Sequence, residues 1–197
     1  MQIVLIRHAK VLLSNTQKIT ASQMSAWIEA YNNASIDTTP PSKEVIHYIK
    51  SANIVLASNL SRTTDSLAVI GVEPTEKNSL FNEIDLPEAK GTWLKLSPRT
   101  WLVILRLMMF SGFVKNSKMY REAKERAKKA SEYLIASGNQ CKNVALMGHG
   151  GMHWLVGKEL ERLGWKCVEQ VGGSKNWGYK VYQKGVKTRI AKTKVLA

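Results

Sequence analysis

A chain of 197 residues with 44% apolar content is long enough to bury one substantial core and short for two, so a single domain over residues 1–197 is expected. With 22% charged residues and no long low-complexity tract, the composition excludes a disordered chain. A net charge of +14 would attract phosphates, nucleic acid or an anionic membrane surface alike, so it selects no partner by itself.

Taken in order, Gln2 to Ile6 is a short, mostly β-branched run that predicts a buried strand. It leads directly into Arg7 and His8 without the basic region, apolar stretch and cleavage site of a signal peptide, so a cytoplasmic location is expected. Helical spacing follows over Ala21–Tyr31 and Lys43–Lys50. A second strand-like run, Asn53–Ala57, ends at Ser58, and a helix is predicted over Ser61–Ile70.

Trp101–Val114 is the most apolar segment, but Arg106 interrupts it and it falls short of the roughly 20 residues that span a bilayer. No membrane span is expected. Trp93, Trp101, Leu105, Met108, Met109 and Phe113 would form an apolar helical face, within an insertion over about 90–120 that serves as core packing or as a lid. Arg106 is then either a snorkelling surface arginine or an extra anion contact.

A helix over Tyr120–Ser137 with Gly138 as its stop is followed by a third strand, Asn143–Met147, ending at Gly148 and His149. Met152–Leu163 reads as a helix broken by Gly164. Trp165–Val171 and Trp177–Gln183 read as two strands, with Gly172, Gly173 and Ser174 between them permitting an antiparallel pair. The basic runs Lys115–Lys129 and Lys180–Lys194 read as solvated faces.

Strands alternating with helices predict an α/β fold with a mostly parallel sheet covered on both faces. In such sheets ligands bind beyond the carboxyl ends of the strands. Arg7, His8, Ser58 and His149 all fall there. Cys141 and Cys167 have neither metal nor redox spacing and are expected to be reduced. His47 and His153 lie in helical patterns as ordinary histidines, and no histidine pair has metal-ligand spacing. No metal and no cofactor are implied.

Ile6-Arg7-His8-Ala9, Ser58-Asn59-Leu60-Ser61-Arg62-Thr63 and Met147-Gly148-His149-Gly150-Gly151 occur in that order. They resemble the opening Arg-His-Gly, the S-x-x-x-R-[TA] element and the late Gly-His-Gly of the histidine phosphatase superfamily, the phosphoglycerate-mutase-like enzymes. The resemblance spans about residues 1–184 and implies a three-layer αβα sandwich and a phosphohistidine at His8. It also points to a proton donor in Leu80–Asp85, mapping onto Glu83 with Asp85 as runner-up.

The chemistry is consistent with those residue types. A neutral imidazole can attack phosphorus through one nitrogen if the other donates a hydrogen bond that sets its tautomer. Arg7 and Arg62 present planar forks to the charge that develops on phosphoryl oxygens, and His149 is a further donor. Gly150 and Gly151 allow close backbone approach, and the helix start behind them favours an anion. The leaving alkoxide needs a carboxylic acid.

Ala9, Lys10 and Val11 replace the Gly-Glu-Thr or Gly-Gln-Ser of many relatives, and Leu86–Lys90 replaces the Gly-rich, Trp-containing segment of mutases. These departures favour a metal-independent phosphatase over a phosphomutase. A non-catalytic phosphate- or nucleic-acid-binding module is the alternative of another class. The expected substrate is a phosphorylated small molecule or phosphoprotein. No nucleic-acid partner is expected, because aromatic residues are not interleaved with the basic runs. The oligomeric state is left open.

Overall fold

The computed structural model describes residues 1–87, 93–110 and 114–185. Among these residues six strands make one mixed sheet: β1 (Gln2–Arg7), β2 (Ile54–Ala57), β3 (Glu76–Lys77), β4 (Asn143–Gly148), β5 (Trp165–Val171) and β6 (Tyr179–Lys184). Their order is β3-β2-β4-β1-β6-β5. β3, β2, β4 and β1 run parallel, while β6 is antiparallel to β1 and β5 to β6, as the Gly172–Ser174 turn predicts. Sequence pattern misses β3, because two residues cannot show a period.

Strand alternation divides the core in two. On one face Ile3, Leu5, Leu56, Val144 and Leu146 pack against α5 (Val114–Cys141) and α6 (Gly150–Arg162). On the other, Val4, Ile6, Val55, Ala145 and Met147 pack with α2 (Lys43–Lys50) and α3 (Ser61–Val69). This is the expected three-layer sandwich.

A satellite cluster joins Trp101 and Leu105 of α4 (Pro98–Phe110) to Ala21 and to Met24 of α1 (Met24–Asn33). The apolar segment therefore buries one stripe, while Val103 and Leu107 stay exposed. Phe113, residues 90–92 and 111–112 of the expected insertion, and the basic tail beyond Gly185 lie outside the described residues. Among the described residues no helix is long and apolar enough to cross a membrane.

Gly138 does not end α5. It is buried inside the helix, where a Cβ would lie 2.3 Å from Cε, the flexible far end of the Met1 side chain. The chain leaves the helix at Lys142, at φ 68°, whose amide donates to the Gly138 carbonyl. Similarly, Trp177 is a turn residue at φ 58° and β6 starts two residues later.

Candidate active site

The parallel register sets three chain segments side by side. Arg7 pairs with Gly148, Ala57 pairs with Met147, and the His8 amide donates to the Gly148 carbonyl at 3.1 Å, one step past the β1/β4 ladder. His8, Ser58 and His149, each the first residue beyond its strand, are thereby brought together. The His8 and His149 rings lie 5.2 Å apart between centroids.

His8 is 2% exposed, and its Nδ1 lies 2.6 Å from the Ala9 carbonyl oxygen. A carbonyl can only accept, so Nδ1 carries the proton and Nε2 keeps its lone pair. Burial first, then the Arg62 guanidinium, lowers the His8 pKa to about 3. The imidazole is neutral at physiological pH. Ala9 is fully buried and its amide donates to Ser66 Oγ at 2.8 Å, which accounts for the small residue there.

His149 is wholly buried, with Nε2 2.7 Å from Ser58 Oγ. That hydroxyl also accepts from the Leu60 amide and lies 3.2 Å from Thr63 Oγ1; when its proton goes to Nε2, Nδ1–H is the donor that His149 turns to the site. Burial, then Arg62, holds this histidine far below the ordinary range.

Arg62 enters from the first turn of α3 and is 3% exposed. Its Nη1 donates to Asn32 Oδ1 at 2.7 Å, and its guanidinium carbon lies 5.3 Å from the centre of the Tyr31 ring, so the end of α1 fixes the fork. Burial lowers its pKa from the usual arginine value.

Arg7 Nη1 donates to the Ser174 carbonyl, and Asn176 Nδ2 donates to the carbonyls of His8 and Ala9 at 3.0 Å each. The β5–β6 turn thus clamps the loop that follows β1. Arg7 Nε, Arg62 Nε and His149 Nδ1 are buried and have no protein hydrogen-bond partner among the described residues. Three unmatched donors in one cluster are what an anion-binding site requires, because unpaired buried donors are otherwise costly.

Glu83 joins this group from the loop after β3. Its Oε1 accepts from the Met152 amide at 3.1 Å and its Oε2 from the Gly151 amide at 3.4 Å, and Arg106 Nη2 lies 4.0 Å from Oε2. Glu83 is therefore an acceptor at the α6 N-terminus, a placement the helix dipole favours. Asp85 is exposed and lines a separate cleft with Met119, Glu122 and Arg126 of α5.

Gly150 has ordinary clearance, 3.7 Å from a Cβ to Arg7 Nε. The close approaches are at Gly151, where a Cβ would lie 2.6 Å from Glu83 Oε1, and at Gly148, 2.5 Å from His153 Nε2.

Sequence reading underestimates His153, which is buried behind Gly148 with its pKa lowered by burial to about 3. It also misses Tyr31, Asn32, Ser66, Ser174 and Asn176. Of these, only the turn residues around Ser174 carried any mark in the sequence, through Gly172 and Gly173. Among the described residues no cluster of three metal-ligating side chains occurs.

Among solved structures, a mycobacterial hydrolase matches with a TM-score of 0.54 at 12% identity, over 91% of this chain and 80% of its own. The fold is phosphoglycerate-mutase-like. It is the fold that the three-motif resemblance to the histidine phosphatase superfamily implies. The product of open reading frame Rv3214 from Mycobacterium tuberculosis matches at a TM-score of 0.49 and 15% identity, over 83% of this chain and 79% of that one. A phosphoserine phosphatase mutant from Entamoeba histolytica, solved with phosphoserine, matches at 0.48 and 15% identity, over 91% and 89%. No family model and no curated protein matches the chain.

Proposed function

We propose that this chain is a single-domain, metal-independent phosphatase that hydrolyses phosphomonoesters through a phosphohistidine at His8. The observation that carries this reading is the 2.6 Å contact from His8 Nδ1 to the Ala9 carbonyl. It leaves a neutral, desolvated Nε2 as nucleophile beside three buried cationic or imidazole donors.

In the first step Nε2 attacks phosphorus while Arg7, Arg62 and His149 Nδ1–H hold the equatorial oxygens. They are preorganised by Ser174, Asn32 and Ser58, so little reorganisation is needed as negative charge shifts in the transition state. Glu83 gives a proton to the leaving oxygen, and it is preferred to Asp85 on position alone, since it lies against Gly151 behind His149 while Asp85 faces α5. Water then attacks the phosphohistidine with Glu83 as base, returning His8 and releasing phosphate.

The substrate is a phosphorylated small molecule or phosphoprotein. The experiment is a p-nitrophenyl phosphate assay with covalent trapping. Wild type forms an acid-labile, base-stable phosphoenzyme, and His8→Ala loses both the adduct and turnover. Retained turnover in His8→Ala overturns the assignment.

A further inference from the structure

Beyond the catalytic reading, and independent of it, the outer face of α4 leaves apolar side chains uncovered among the described residues. At helical spacing one stripe carries Arg99, Val103, Arg106 and Leu107. Val103 is 52% exposed and Leu107 63%, opposite the buried Trp101, Leu105 and Met109. The segment leading into the helix exposes Trp93 at 90% and Leu94 at 45%.

Four large apolar side chains near one short helix, interspersed with arginines, exceed the scattered singletons of an ordinary soluble surface. The combination of aliphatic and indole groups with guanidinium groups is that of a helix lying in a lipid interface, where the apolar groups enter the acyl boundary and the cations meet headgroup phosphates. α4 also packs on α5, whose exposed side carries Lys118, Arg121, Lys124 and Lys129 beside Glu122 and Glu125, leaving a net positive charge.

Charge decides between occupants. A second copy of a +14 chain would bring arginine against arginine, whereas an anionic bilayer complements both the net charge and the local one. Nucleic acid would satisfy the arginines but leave Val103 and Leu107 in water.

We infer that α4 is a peripheral docking helix for anionic phospholipid membranes. Because Arg106 of the same stripe lies 4.0 Å from Glu83, docking brings the rim of the candidate site to the bilayer surface.

The test is sedimentation of the full chain with sucrose-loaded vesicles of phosphatidylcholine alone or with 30% phosphatidylglycerol. Binding to the anionic vesicles should exceed that to neutral ones by at least tenfold and weaken with salt. Val103→Asp with Leu107→Asp should lower it at least tenfold. Both residues are exposed, so an unchanged Tm confirms that the fold survives. Trp93→Ala, outside the helix, should give a smaller loss in the same direction.

Equal binding to both vesicle types overturns the inference. So does a Val103→Asp/Leu107→Asp protein that binds as wild type does, since surface lysines alone would then account for it. A wild-type dimer in sedimentation equilibrium that Leu107→Asp dissociates would assign the face to self-association instead. None of these readouts uses activity, so a failure of the phosphatase reading leaves them standing.

Discussion

The strand ends and the outer face of α4 both present arginines, and the two regions treat them in opposite ways. Arg62 is 3% exposed, bonded to Asn32 and stacked near Tyr31, whereas Arg106 has a side chain 41% exposed and reaches Glu83 only at 4.0 Å. Two unit charges 4 Å apart interact by about 1 kcal/mol in water and about 4 kcal/mol at an effective dielectric near 20. A buried guanidinium can therefore stabilise a transition state, while an exposed one mainly steers and attracts. Position in the fold, more than residue type, decides which role an arginine takes.

The comparison is sharpest at Arg62. Arg62→Ala should cut kcat by ~10² or more, the scale of losing one preorganised charge stabiliser, measured by steady-state assay on p-nitrophenyl phosphate. A change confined to KM would mean that Arg62 only docks the ligand.

A selective effect is expected at Glu83. Glu83→Gln should slow alkyl phosphate hydrolysis strongly and p-nitrophenyl phosphate hydrolysis much less, because an activated aryl leaving group needs little protonation. Asp85→Asn should do little to either. Equal losses on the two substrates would remove Glu83 as the acid, and leaving-group dependence in Asp85→Asn would move the role two residues along.

Stability should report the same burial. His8 and His153 have folded pKa values of about 3 and His149 lies below its ordinary value too, against an unfolded value near 6.5. The unfolded chain thus binds more protons in this window, so stability rises with pH and is lost as pH falls from about 6.5 toward 3. Tm should fall between pH 7 and pH 5, and His153→Gln should make that fall smaller. A His153→Gln protein whose Tm drops as steeply as wild type would show that this imidazole does not titrate on unfolding.

The smallest effect is expected on α4. Arg99→Ala should change turnover of a soluble substrate by no more than about twofold, since an exposed charge is screened. A tenfold loss would place the helix in the site itself.

How far sequence reached follows the same division. Arg7, His8, Ser58, Arg62 and His149 were legible because each stands at or just past a strand end, or opens the helix that follows one, in segments whose periodicity is plain. Asn32, Ser66 and Asn176 were not. Their amides and hydroxyls are common in any loop, and only contacts across 30 residues or more, such as Asn32 with Arg62 or Asn176 with His8, give them meaning. Gly138 misled because a glycine marks a stop only as a local propensity, and α5 runs through it to Cys141.

The sequence alone therefore determined the alternation of strands and helices, and with it the strand ends that carry the polar residues, because periodicity and β-branching act within a few residues of themselves. Tertiary structure alone decided which nitrogen of His8 is free, which loop carboxylate turns to the α6 N-terminus, and that His153 is buried. Each of those outcomes depends on register, on desolvation and on partners that only the folded chain brings within hydrogen-bonding distance.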